Sequence, residues 1–150
     1  MRVLGWIVVI VLVLVVGLAA FVRLAPSDPA RWHVDPASAE PGPGRFVVKP
    51  AGGDTEGPLL DMPPGEALAA LDGIARATPR TRVLAGSVDE GRITYLTRSA
   101  LWGFPDYTTV AAVPAEGGAR LLVYARLRFG QDDLGVNAAR VRDWLDRLPG

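Results

Sequence analysis

Hydrophobic and polar residues follow three regimes along the chain. Residues 3–22 form one uncharged run of Val, Leu, Ile and small residues between Arg2 and Arg23. As a helix this run spans about 30 Å, the thickness of a bilayer's hydrocarbon core. Val and Ile are mediocre helix formers in water, but lipid leaves the backbone only itself to bond and so selects helix. Trp6 suits an interfacial anchor. Gly5 and Gly17 are too far apart for a close-packing G-x-x-x-G pair. A cleaved signal peptide is the rival reading, with Gly17-Leu18-Ala19 as a small-x-small cleavage site. Signal peptides carry a shorter apolar region, so the length favours an anchor over residues 1–23.

Residues 24–63 break the pattern. Nine of the 13 prolines and five glycines fall between positions 24 and 64. Such a stretch cannot sustain a helix and reads as a spacer, with 45–49 as one short strand inside it. The lone His33, beside Trp32, has no Cys or second His to join it as a metal ligand, and an interfacial position suits it better.

From residue 64 the pattern becomes regular. Residues 64–77 read as a helix with a Leu68, Leu71, Ile74, Ala75 stripe, started by Pro64 and stopped at Thr78-Pro79. Four strands follow at 82–88, 92–98, 107–113 and 119–128. Asp89-Glu90-Gly91 joins the first two, and residues 114–118 join the last two. Leu121, Val123, Ala125 and Leu127 alternate with Leu122, Tyr124, Arg126 and Arg128, giving an apolar face and a face mixing aromatic and cationic groups. A final helix carries the stripe Val141, Trp144, Leu145, Leu148, before Pro149 and Gly150. Asn137 is its expected N-cap, with Val136 and Val141 as a hydrophobic staple. The expected fold is α+β: an N-terminal transmembrane helix, then a four-stranded antiparallel meander flanked by two helices (α-β-β-β-β-α), with residues 64–150 as the folded domain.

Composition narrows the function. Sixteen basic and 16 acidic residues balance, which argues against nucleic-acid binding. No cysteine means no disulfide, thiolate metal site or catalytic thiol. No cofactor motif is present: Gly42-Pro43-Gly44 lacks the lysine and the strand-helix context of a phosphate loop. Basic residues flank the apolar run nearly evenly: Arg2 and the terminal amine before it, Arg23 and Arg31 after it. The short leading tail places residues 24–150 outside the cytoplasm, on a single-pass protein of the inner (plasma) membrane whose residues 3–22 contact lipid.

Three segments resemble a known family, the domain of unknown function 1499. They are Tyr95-Leu96-Thr97-Arg98-Ser99, Gly103-Phe104-Pro105-Asp106, and Asp133-Leu134-Gly135-Val136-Asn137 with Arg140 one turn later. The resemblance covers residues 60–148. It implies a small domain of bacterial envelopes or photosynthetic organelles, often behind one apolar segment. It implies location and fold rather than chemistry. It also implies a small hydroxyl residue where this chain has Ala125.

The candidate chemistry is a charged cluster. If Val113 pairs with Ala119, Asp106 faces Arg126 across the last hairpin. Arg98, Ser99, Asp133 and Asn137 would lie near that strand end. One reading is a binding site for an anionic ligand or polar headgroup, because guanidinium groups grip carboxylate and phosphate with two prongs. The other is a structural ion-pair network, with Asp133 and Asn137 bonding backbone amides. Ser99 lacks a base for nucleophilic catalysis, and Asp132-Asp133 lacks the oxygens of a calcium site. The leading expectation is therefore a membrane-anchored binding protein for a ligand or an envelope partner. A hydrolase using the Arg/Asp cluster, or a structural subunit of a membrane complex, is the alternative.

Overall fold

The computed structural model describes residues 2–149. The terminal amine and Gly150, both weighed above, lie outside the described residues. The apolar run forms one helix, α1 (Arg2–Leu24), whose only buried residue is Val22. It is long and apolar enough to cross a membrane, a property that signal sequences share.

The remaining elements build one antiparallel sheet with its two long helices on one face. They are a helical turn α2 (Pro29–Trp32), a 3-10 turn (Pro36–Ser38), β1 (Arg45–Val48), β2 (Leu59–Leu60), α3 (Pro64–Ala77), β3 (Thr81–Ser87), β4 (Arg92–Arg98), β5 (Pro105–Ala115), β6 (Gly118–Leu127) and α4 (Val136–Asp146). The strand order is β1-β6-β5-β4-β3, and β2 lies beside β1 along the same edge of β6. Six strands thus replace the four expected. The meander is β3 to β6, while β1 and β2 come from the stretch read as spacer, with β1 where a short strand was expected. Proline forbids long helix there but not docking. Asp28 and Asp35 each accept a backbone N–H two residues on, at 3.0 Å, and so close a turn before a proline-led helical turn.

One face of the sheet carries the apolar core. Leu68, Leu71 and Ala75 of α3 and Val141 and Trp144 of α4 pack on Phe46, Ile93, Tyr95, Val110, Leu121, Val123 and Ala125. Helix α3 spans the predicted residues, and its end is tied when the Thr78 hydroxyl donates to the Ile74 carbonyl at 3.0 Å.

The last hairpin differs from the expected one by a single residue. The strands continue to Ala115 and Gly118, leaving only Glu116-Gly117 as the turn, so Val113 faces Arg120 and Pro114 faces Ala119. Pro114 is tolerated inside the strand because β5 overhangs β4, whose pairing ends at Arg92 with Ala111, so no neighbour on that side needs its N–H. Gly118 has a φ of 144°, and a side chain there would strike the Leu60 carbonyl, so glycine is what lets β2 dock beside the turn.

The start of α4 also departs from expectation. Its N-cap is Gly135, in the left-handed region with φ 80°, not Asn137. The capping is done by Asp133, whose carboxylate accepts the N–H of Gly135 at 3.1 Å and of Asn137 at 2.8 Å. The staple does not form, because the cap falls two residues early and leaves Leu134 and Val136 exposed.

Candidate functional site

The one-residue change of register separates the expected cluster. Asp106 faces Leu127, whereas Arg126 faces Tyr107, so Asp106 and Arg126 project to opposite faces of the sheet. The six candidate residues fall into three places.

Asp106, Asp133 and Asn137 lie on the helix face, joined by Arg140. Arg140 donates to Asp106 Oδ2 at 2.9 Å and to Asn137 Oδ1 at 2.9 Å. Burial pushes the Asp106 carboxyl above its ordinary range, while the Arg140 bond pulls it back down. Asn137 is fully buried, and its side-chain N–H group has no partner among the described residues. The Asp-Leu-Gly-Val-Asn segment with Arg140 therefore pins the start of α4 to the start of β5. An open cavity of about 420 Å³ lies beside it, lined by Ser99, Asp106, Asp132 and Asp133 among others. The Asp106 carboxylate is held by its arginine, and the Ser99 hydroxyl accepts the Phe104 N–H at 2.9 Å.

Arg98 and Ser99 sit where the sheet meets α1. Arg98 donates to the Gly103 carbonyl at 2.8 Å and to the Arg23 carbonyl at 3.1 Å. It therefore ties the β4–β5 loop to the end of α1, satisfying carbonyls that a helix terminus leaves free.

Arg126 lies on the outer face, under the segment that carries α2. It is 5% exposed and donates to the Trp32 and Tyr124 carbonyls and to the Thr109 hydroxyl. Its guanidinium stacks 4.3 Å from the centre of the Tyr124 ring. Burial lowers its pKa to about 10, Tyr124 and Tyr107 oppose that shift, and Arg45 adds to it. At neutral pH it remains charged. Trp32 covers this region, stacked on Tyr107 at 3.8 Å between ring centres.

A cavity of about 390 Å³ opens beside Arg126, lined by Arg31, Arg45, Arg126 and Arg128 with Trp32 and Tyr124. No acidic residue lines it, and among the described residues none of these four arginines forms an ion pair. Arg45 reaches it because Arg45 pairs with Arg126 across β1 and β6. Arg128 donates to the Pro26 carbonyl at 2.9 Å and the Tyr107 hydroxyl at 3.1 Å. The alternation of β6 had already put Tyr124, Arg126 and Arg128 on one face. Arg31 and Trp32 gave no such signal, because nothing local shows that a proline-rich segment folds back over a sheet.

His33 is also drawn onto this face of the sheet. Arg92 donates to its Nε2 at 3.2 Å, so its Nδ1 carries the proton given to Thr94 Oγ1 at 2.8 Å. Thr94 then meets Thr109 at 2.9 Å, and Thr109 receives Arg126. This line of hydrogen bonds is half-buried at Arg92 and His33, buried from Thr94 to Arg126, and ends on the Trp32 and Tyr124 carbonyls.

A family model described as protein of unknown function (DUF1499) matches residues 37–148. That span holds every strand of the sheet and both helices packed on it, and the chain belongs to this family. It extends the resemblance seen over residues 60–148 to include β1 and β2. No curated protein and no solved structure matches the chain.

Proposed function

Taking that family membership as the premise, we propose that this chain is a single-pass membrane protein whose domain, outside the cytoplasm, binds an anionic ligand in the arginine-lined cavity. One observation carries the reading: four arginines converge on a cavity that contains no carboxylate. A guanidinium held by packing and carbonyl bonds, with no counter-ion, favours a carboxylate or phosphate that brings its own charge. Trp32 and Tyr124 give the same cavity an apolar wall, as small-ligand sites have. A hydrolase reading finds less support. The one carboxylate that burial lifts, Asp106, is occupied by Arg140 on the other face of the sheet. Retention of α1 is supported by Trp102 and Phe104, which share one apolar cleft with Val15, Leu18 and Ala19, residues that cleavage after Ala19 would remove.

The test is thermal unfolding of the full chain in lipid nanodiscs, with inorganic phosphate against chloride at equal ionic strength. Phosphate at about 100 times its Kd should stabilise the protein by about 2.7 kcal/mol. Arg45→Gln with Arg128→Gln should abolish that gain. An equal gain in the double variant, or none in the natural chain, would sink the proposal. For the topology, a reporter active only in the cytoplasm and fused to the carboxyl end should be silent.

A further inference from the structure

The loop between β4 and β5, residues 99–104, leaves apolar side chains exposed: Leu101 is 74% exposed, Trp102 48% and Phe104 37%. The loop is built to present them. The Ser99 N–H donates to the Phe104 carbonyl at 2.9 Å, and the Phe104 N–H returns to the Ser99 hydroxyl at 2.9 Å. Gly103, with φ 73°, allows the tight reversal. These bonds close the base of the loop, while Leu101 and Trp102 at its tip stay exposed.

The position of this loop identifies what covers it. Trp102 and Phe104 line an apolar cleft with Val15, Leu18, Ala19 and Val22 of α1. Val22 lies seven positions after Val15, about 10 Å along the helix axis. The loop therefore lies alongside the last two turns of the apolar run, not beyond its end. Phe21 meets Phe129 at 6.0 Å, and Phe129 meets Phe104 at 6.2 Å, which extends the apolar surface around the helix. Beside it, Arg23, Arg80, Arg82 and Arg98 line an open cavity of about 550 Å³ with no acidic residue in its wall. Arg23 holds the loop directly, donating to the Leu101 carbonyl at 3.4 Å.

We propose that residues 100–104 insert into the bilayer leaflet that α1 leaves, with Trp102 at the headgroup boundary and Arg80 and Arg82 facing lipid phosphates. The partner is the lipid of that leaflet. Two features fit it together: apolar and aromatic side chains continuous with a membrane span, and a cationic rim at the level where phosphates lie. The inference rests on α1 crossing the bilayer. It adds a second point of attachment, which would fix the orientation of the domain instead of leaving it to swing from its anchor.

The chain has no cysteine, so single labels can be placed at will. Full-length Leu101→Cys, Leu12→Cys and Asp89→Cys variants would each carry an environment-sensitive fluorophore. Each would be reconstituted into phosphatidylcholine–phosphatidylglycerol vesicles containing lipids with a nitroxide high on the acyl chain. A second loop variant, Ala100→Cys, guards against misfolding at position 101. Positions 101 and 100 should lose most of their emission and shift to the blue. Position 12 should be quenched by a nitroxide deeper in the chain, and position 89, in the β3–β4 turn, should be untouched. A quenched position 12 with both loop labels unquenched would overturn the inserted loop and leave the span standing. An unquenched position 12 would overturn the span, and the loop proposal with it.

Discussion

The two faces of the sheet are made by the same strands and closed by different physics. On the helix face, α3 and α4 bury Leu71, Tyr95, Val141 and Trp144 in a continuous apolar layer. On the outer face, a proline-rich segment lays Trp32 over Tyr107 and leaves a line of hydrogen bonds through His33, Thr94, Thr109 and Arg126. Apolar closure is non-directional and tolerates repacking. Polar closure depends on every partner being present, because a buried group that loses its bond pays the cost of desolvation without compensation. The apolar layer of the helix face should therefore dominate stability, while sensitivity to charge and pH should lie in the polar line of the outer face and in the Asp106–Arg140 pair beside the start of α4. Each variant below would best be measured as the unfolding free energy of the full chain in detergent micelles.

The largest effect belongs to Trp144. It is fully buried, meets Tyr95 edge-on at 5.6 Å, and donates its indole N–H to the Thr78 hydroxyl at 2.8 Å. Trp144→Ala opens a cavity and removes that hydrogen bond, so a loss of about 3–5 kcal/mol is expected. A loss below about 1 kcal/mol would mean that α4 is not integral to the core.

Next comes the charge coupling that the register decides. Asp106 and Arg140 share a bond of 2.9 Å with both side chains largely buried. A double-mutant cycle with Asp106→Asn and Arg140→Gln should show a coupling of about 0.5–3 kcal/mol. The same cycle with Arg126→Gln should be additive within about 0.5 kcal/mol, because the sheet lies between the two groups. Coupling to Arg126 and none to Arg140 would restore the pairing of Val113 with Ala119 and erase the distinction between the faces.

That pairing shows where legibility stops. The stripes of α3 and α4 and the alternation of β6 were readable because each reports burial on a single element. The register was not, since Pro114 looked like a strand stop and only the overhang of β5 past β4 makes it harmless. Asn137 looked like a cap, yet Asp133 caps and Asn137 braces Arg140, because the left-handed Leu134-Gly135 turn starts the helix earlier than side-chain preference suggests. The docking of residues 25–39 was hidden for a further reason: proline density reports what the backbone cannot do, and says nothing of what a Trp or His can rest on. One mismatch is local. Ala125 faces Thr108, whose buried hydroxyl has no partner among the described residues, so a hydroxyl side chain at 125, as the family resemblance implies, would lie across from it.

The smallest effect tests the outer face through pH. His33 is held neutral: its Nε2 accepts from Arg92, and burial first, then the Arg92 charge, push its pKa below 6.5. Arg126 acts in the same direction, while Glu90 opposes it. The unfolded chain therefore takes up a proton at His33 before the folded one does as pH falls. Between 6.5 and the lower folded value the unfolded state binds more protons, so stability should fall with pH across that window and then level off. Asp106, whose pKa is raised from 3.8, has the opposite sign, since its folded form takes up the proton first. The quantity to follow is the difference between the natural chain and His33→Gln, in which Asp106 cancels. Gln can still accept from Arg92 and donate to Thr94, but it does not titrate. The difference should shift against the natural chain as pH drops from 7 through the histidine range. A flat difference would mean that His33 is solvated, and that the outer face is not closed by the polar chain that sets it apart from the helix face.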